Sequence, residues 1–141
     1  MSQSWIFWAL LSAGFAALTA IFAKVGVAGV NSDLATLFRT VIIFVVLSGI
    51  VIATGQWQPL SSITGRTWIF LCLSGLATGA SWVAYFRALK LGDAARVAPI
   101  DKLSIVLVAI FAAIFLGEKL SLAAWGGVAL IGAGAVVVAV F

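Results

Sequence analysis

The segment from Val97 to Glu118 constrains this chain most, because it is apolar enough to cross a bilayer yet carries charge at one end. Pro99, Asp101 and Lys102 stand just before a run of almost wholly apolar residues. Charge in a spanning helix costs about 2.5 kcal/mol or more unless it meets a partner or water. A polar cavity or an ion pair is therefore expected there, and this favours a membrane transport protein.

The composition of the 141 residues argues against a soluble globule, since 65% are hydrophobic and only 9% are charged. A soluble domain carries about a quarter charged residues. The net charge of +4 is scattered along the chain, so no concentrated basic face for a nucleic acid is expected. There is no histidine and a single cysteine, Cys72. We expect no metal, no cofactor and, in the absence of catalytic motifs, no enzyme.

Apolar runs long enough to cross the hydrocarbon core as helices recur five times. Helix is required in lipid, because the bilayer offers no partners to open backbone N–H and C=O groups. We therefore predict an all-α membrane protein with one domain over residues 1–141. The predicted spans are residues 5–23, 34–53, 67–86, 97–116 and 122–141.

Basic charge is unequal between the two sides of such a bundle. The first and third connections hold most of it, namely Lys24, Arg87, Lys90 and Arg96, whereas the second and fourth hold Arg66 and Lys119. Basic connections favour the cytoplasm. We therefore expect an inner-membrane protein with its N-terminus outside and its C-terminus in the cytoplasm. The bias rests on few charges, so insertion in both orientations stays open.

Two features of the second and third spans suggest binding. Arg39 either extends towards the nearby interface or anchors a carboxylate or phosphate through its planar guanidinium. Trp82, Tyr85 and Phe86 share one helix face, and they form either an aromatic wall for an amphipathic substrate or ordinary packing. Asp33 precedes the second span, where we expect its side chain to cap the helix.

The start of the fourth helix leaves two interpretations of its charges open. If the helix begins at Pro99, proline takes its preferred first position and Asp101 meets the positive end of the helix dipole. If it begins near Ala94, Pro99 kinks the helix and Asp101 enters the membrane. In either case the neighbours Asp101 and Lys102 point about 100° apart, and only Asp101 shares a stripe with Ser104.

Small residues repeat on the faces of several spans, as helices that approach closely in lipid require. The third span carries a glycine pair, Gly75 and Gly79, and the fifth carries Ala123, Gly127 and Gly134 on one face. We expect these stripes to be packing surfaces within the bundle, and the fifth span, which carries no charged residue, is also a candidate for a contact with a second subunit.

Several short motifs together resemble the EamA domain of the drug/metabolite transporter superfamily. They are Phe22-Ala-Lys24, Phe38-Arg-Thr40, Tyr85-Phe-Arg-Ala-Leu-Lys-Leu-Gly92, Arg96-Val-Ala-Pro-Ile100 and Phe115-Leu-Gly-Glu118. The likeness covers the whole chain, which looks like a short, five-span member with a single repeat. Typical members have ten spans in two oppositely oriented repeats around a central cavity.

This resemblance implies a homodimer, or pairing with another half-transporter, and alternating access between two faces. It also implies that Arg39, Trp82, Pro99 and Asp101 lie at or near the pore. The partners expected are therefore a small-molecule substrate, the lipid bilayer and a second subunit.

We expect a secondary transporter, in particular an exporter of small metabolites or amphipathic compounds. Arg39 or Lys102 would hold an anionic group, Trp82 and Tyr85 an apolar part, and Asp101 would be the coupling acid. Two alternatives stay open: a non-transporting membrane subunit that stabilises or regulates a partner, and a flippase for a lipid-linked substrate.

Overall fold

The computed structural model describes residues 2–141, with side chains from Trp5 onward. Over these residues the chain is helical and contains no strand. The helices are α1 (Ser2–Val27), α2 (Ser32–Ala53), α3 (Gly65–Leu91), α4 (Ala94–Asp101), α5 (Ser104–Phe111) and α6 (Leu122–Val140). A 3₁₀ turn, Leu60–Ser62, lies between α2 and α3, and a π-helical turn, Ala112–Leu116, extends α5.

Five segments of residues 2–141 are long and apolar enough to cross a membrane. They are Trp5–Val27, Ser32–Ala53, Gly65–Leu91, Ala94–Leu116 and Leu122–Val140. The prediction of an all-α membrane protein with five spans is confirmed. The helices differ from the predicted spans mainly at their ends, since α1 continues from residue 23 to Val27 and α3 from Phe86 to Leu91. Backbone hydrogen bonding continues through Lys24, Arg87 and Lys90, although the hydropathy falls there.

Contacts divide the chain into two compact units. The central unit is Ala23–Lys90, and the terminal unit comprises residues 2–22 together with Leu91–Phe141. The single predicted domain thus contains two clusters of contacts, which are described separately below.

The buried residues of the central unit lie at the end of α1, the start of α2 and the end of α3. They are Ala23, Val27, Ser32, Thr36, Phe86 and Leu89. The buried hydroxyl of Thr36 donates to the Ser32 carbonyl oxygen at 2.8 Å, so it is satisfied within its own helix. The core of this unit thus combines the large side chains of Phe86 and Leu89 with smaller ones and with a hydroxyl that is bonded within its own helix.

The prediction that the Asp33 side chain caps α2 is wrong. The Asn31 side-chain oxygen accepts from the backbone N–H groups of Asp33 and Leu34, at 2.9 and 3.3 Å. Asp33 lies one position inside the helix, in the first turn. Its carboxylate is thereby left to bind a partner outside α2.

In the terminal unit, α6 packs against α4 and α5. Gly132 makes the closest approach: a Cβ atom there would lie 3.1 Å from Cγ2 of Val106 on α5. The glycines of the expected stripe, Gly127 and Gly134, have open space beside them among the described residues. The turn before α6 depends on Gly117, which adopts φ of 67° while the Glu118 N–H donates to the Ala112 carbonyl oxygen. A left-handed residue of this kind closes a helix with little strain only when it is glycine.

Candidate functional site

Arg39 of α2 lies against two aromatic rings of α3 in the central unit. Its guanidinium carbon is 4.9 Å from the centroid of the Trp82 ring and 5.2 Å from that of Phe86. Trp82 and Phe86 are four residues apart on α3, so helical geometry places both rings on one face. Each cation–π contact at this distance contributes about 0.5–2 kcal/mol, more as water is excluded.

Tyr85 extends this arrangement along α3. Its ring meets the Phe86 ring edge to face, with 6.5 Å between centroids. Phe86 is buried, whereas Arg39, Trp82 and Tyr85 are half-buried. We call Arg39, Trp82, Tyr85 and Phe86 the arginine–aromatic cluster; it combines a fixed cation with apolar surface that remains partly open.

The charge around the cluster is unbalanced. Asp33 is the single acidic residue of the central unit, and Arg87 holds it with two hydrogen bonds, from Nε at 3.0 Å and from Nη2 at 2.6 Å. Within the described part of the chain, Arg39 makes ring contacts, and no carboxylate or carbonyl oxygen accepts its N–H groups. The cluster can therefore bind an anion without first breaking an ion pair.

Two other basic side chains of the central unit donate to backbone carbonyl oxygens. Lys24 Nζ lies 2.6 Å from the Leu89 oxygen, near the end of α3, and Lys90 Nζ lies 2.6 Å from the Val30 oxygen. Cations are favourable at a helix C-terminus, where carbonyl groups lack partners within the helix. These lysines thus have structural contacts that Arg39 lacks.

The terminal unit contains the other predicted site residues. Its helix α4 begins at Ala94, so Pro99 lies inside the helix, as in the second of the two interpretations. The helix ends at Asp101, and α5 starts at Ser104 after a break. Across the break, Lys102 N–H donates to the Ala98 oxygen at 3.1 Å and Leu103 N–H to the Ile100 oxygen at 3.0 Å.

Asp101 and Lys102 form an ion pair despite being neighbours in sequence. Lys102 Nζ lies 3.3 Å from Asp101 Oδ2, and the two side chains are about half and one-third exposed. Although adjacent side chains diverge on a regular helix, the lysine is long enough, at the position where α4 ends, to reach its neighbour. The pair places both charges at the interruption between two helical segments.

Comparison with known proteins decides the family. The model of the EamA-like transporter family matches residues 3–140. The chain belongs to this family. It is also similar to a protein of Sinorhizobium sp named "Uncharacterized transporter in cobO 3'region", with 75% identity over 141 residues that cover the whole of both chains. No solved structure matches the chain.

As an EamA-like family member with five spans, the protein is a multi-pass membrane transporter for small molecules. Of its predicted site residues, Arg39, Trp82 and Tyr85 come together in the central unit. Pro99, Asp101 and Lys102 lie together in the terminal unit. Helical spacing predicted the aromatic face, but the approach of Arg39 to it is a contact between helices, which periodicity does not reveal.

Proposed function

We propose that this EamA-like protein is a secondary transporter that exports small metabolites or amphipathic compounds by alternating access. The observation that supports this most is the cation of Arg39, held inside a span by Trp82 and Phe86 rather than by a carboxylate. A charge kept within a membrane span marks a substrate or ion pathway more often than a structural element. Membership of the transporter family points the same way.

The proposed active form is a homodimer in the inner membrane, or a pair with another half-transporter. The chain, whose described residues contain five candidate spans, matches its Sinorhizobium relative over the whole of both sequences. Many transporters bind substrate between two repeats related by a pseudo-two-fold axis. A second copy would supply the second repeat.

In this proposal the predicted site residues have different roles. Either Arg39 or Lys102 attracts the anionic part of a substrate, while Trp82 and Tyr85 contact its apolar part. Pro99 provides the kink, because its ring removes an N–H from the helical ladder of α4. Asp101 is the coupling acid: a proton on its carboxyl group frees Lys102 for the substrate anion, and loss of that proton restores the ion pair, so the carboxylate and the substrate anion compete for Lys102.

Proteoliposomes test this function directly. Vesicles are loaded with a panel of organic anions and amphipathic dyes, and their release is followed under an imposed pH gradient. We expect at least one compound to be released by the wild-type protein, with Asp101→Asn removing the dependence on the gradient.

Glu118→Gln is the matched control, since it removes another acidic charge of the terminal unit at the turn before α6. Gradient dependence that survives in Asp101→Asn would exclude Asp101 as the coupling acid. Release of no compound from well-folded protein would instead favour a non-transporting subunit.

A further inference from the structure

We infer that the arginine–aromatic cluster binds the anionic group of a flat amphipathic compound, which makes organic anions the substrate class. This specifies the substrate of the transporter proposed above, and transport by the cluster rests on that proposal. The ligand chemistry is an oxyanion (carboxylate, sulfonate or phosphate) attached to an aromatic or other apolar body.

The first argument is charge. The central unit has five basic residues and one acidic residue, and the carboxylate of Asp33 already binds Arg87 with two hydrogen bonds. Lys24 and Lys90 donate to carbonyl oxygens. Arg39 is thus a base within a span whose charge no acidic group of the central unit balances and whose N–H groups no oxygen of the described residues accepts. A substrate anion would balance the positive charge of Arg39 while it is bound. That charge would be unbalanced again after the anion is released.

The second argument is geometry. Trp82 and Phe86 hold the guanidinium through its π contacts, and a planar guanidinium directs its N–H groups outward in its own plane. Those donors suit the two oxygens of a carboxylate or sulfonate, since paired N–H···O bonds of this kind are short and strong. A lysine ammonium would supply the positive charge but not the planar group with paired N–H donors that the guanidinium offers. The half-buried rings of Trp82 and Tyr85 lie beside the donors, where an apolar body would contact them.

The third argument concerns the source of the anion, because a phospholipid headgroup carries the same chemistry. Arg39 is seven residues beyond Ser32, which is about 10 Å along α2. Trp82 is nine residues before the end of α3 at Leu91, or about 13 Å along that helix. Phe86, the other ring contact, is five residues before that end, or about 7.5 Å, so the two rings hold the guanidinium within the span and not at the helix ends. A soluble substrate that enters the protein fits this placement better than a headgroup.

Calorimetric titration of the purified protein in phosphate-free maltoside tests the inference. The probe is 2-naphthalenesulfonate, and 2-naphthalenesulfonamide is its neutral counterpart of nearly the same shape. We expect the wild-type protein to bind the sulfonate more tightly than the sulfonamide. Arg39→Gln should weaken sulfonate binding about 10- to 100-fold, the range for a lost hydrogen bond to a charged group. Arg39→Lys should fall between the two.

Arg66→Gln is the matched control, because Arg66 also lies over a ring, 5.9 Å from the centroid of Phe70, in the same unit. It should bind the sulfonate as the wild type does. Equal binding of sulfonate and sulfonamide, or equal losses in the two glutamine variants, would overturn the inference. If Arg39→Gln does not fold, Trp82→Leu replaces it: loss of one ring contact should weaken sulfonate binding, and unchanged affinity would overturn the inference.

Two further experiments distinguish a lipid headgroup from a soluble anion, and binding of the anion from its transport. Phosphatidylglycerol is titrated into the complex; displacement of the sulfonate from wild-type protein at stoichiometric lipid would assign the site to a headgroup and overturn the substrate assignment. Arg39-dependent binding without flux in proteoliposomes would contradict the proposed transport and leave the anion site standing. Flux of a cationic compound that Arg39→Gln does not change would contradict the anion site and leave transport standing.

Discussion

Arg87 and Asp33 join the last turns of α3 to the first turn of α2 through two parallel hydrogen bonds, of 3.0 and 2.6 Å. The arginine fork matches the two carboxylate oxygens, which is the strongest geometry available to such a pair. Both side chains are about half exposed, so water and salt screen the attraction. The pair fixes the relative positions of two helix ends in the central unit without adding much to its stability.

We predict that Asp33→Asn and Arg87→Gln each cause a small fall in thermal stability that shrinks in high salt. The reason is that the interaction is partly solvated and therefore screened. Unfolding of the detergent-solubilised protein, followed by fluorescence-detected size exclusion after heating, provides the measurement. In an Asp33→Asn background the Arg87→Gln change should have little further effect. Fully additive losses would mean that the two residues act independently.

Lys24 should contribute more to the stability of the protein than the ion pair of Arg87 and Asp33. Its ammonium donates to the carbonyl oxygen of Leu89, a residue that is fully buried near the end of α3. Lys24→Met keeps the aliphatic length but leaves that oxygen without its charged donor, and we expect a loss of about 1.5–3 kcal/mol in the free energy of unfolding. Reversible unfolding in mixed SDS and maltoside micelles measures it.

Lys90→Met is the control for Lys24. Lys90 also donates to a carbonyl oxygen, but it is an exposed side chain and its acceptor, Val30, lies in the connection between α1 and α2. Water can replace this donor at lower cost, so the loss should be clearly smaller. A loss as large as that of Lys24→Met would show that the burial of Leu89 does not determine the effect.

These contacts mark the limit of prediction from the sequence. The five spans follow from apolar length, because lipid leaves the backbone no alternative to helix. The helix ends do not follow: Lys24 and Lys90 continue their helices because tertiary contacts satisfy them. Asp33 was expected to cap α2, but the Asn31 side chain does so, and the preference of both residues for this position leaves their competition undecided by sequence.

The candidate site was also predicted only in part from the sequence. The spacing of Trp82, Tyr85 and Phe86 predicted a shared face, since it depends only on helical geometry. For Arg39 the sequence left interface and binding interpretations equal, because only the packing of α2 on α3 brings its guanidinium to the rings. The fourth span was similarly ambiguous, as Pro99 is acceptable both at a helix start and as a kink.

Gly132 is predicted to be the glycine of α6 that tolerates a side chain least. A Cβ atom there would lie 3.1 Å from Val106, whereas one at Gly134 would have nothing within 4 Å. Gly132→Leu should therefore cost about 1–3 kcal/mol, as overpacking does, by separating α6 from α5. Gly134→Leu, compared in the same SDS unfolding experiment, should cost less. The opposite ranking would mean that Val106 moves away easily or that a second subunit covers Gly134.

The last prediction concerns orientation, on which the proposed homodimer depends. The helix ends and connections on one side hold Lys24, Arg87, Lys90 and Arg96, against Arg66 and Lys119 on the other. The bias favours a cytoplasmic C-terminus, so a C-terminal reporter that is active only in the cytoplasm should give the stronger signal. Lys24, Arg87 and Lys90 are held in short contacts within the protein, so the effect of charge on orientation is better tested at Arg96, whose hydrogen bond to the Phe141 oxygen is longer, at 3.5 Å.

Arg96→Gln with Ser61→Lys moves one charge across the membrane and should raise the signal of a C-terminal reporter active only outside. Activity from both reporters in the wild type would support an antiparallel homodimer that is sufficient for transport. Activity from the cytoplasmic reporter alone, unchanged by the charge transfer, would contradict it. The second repeat would then have to come from another protein, or the subunits would pack in parallel.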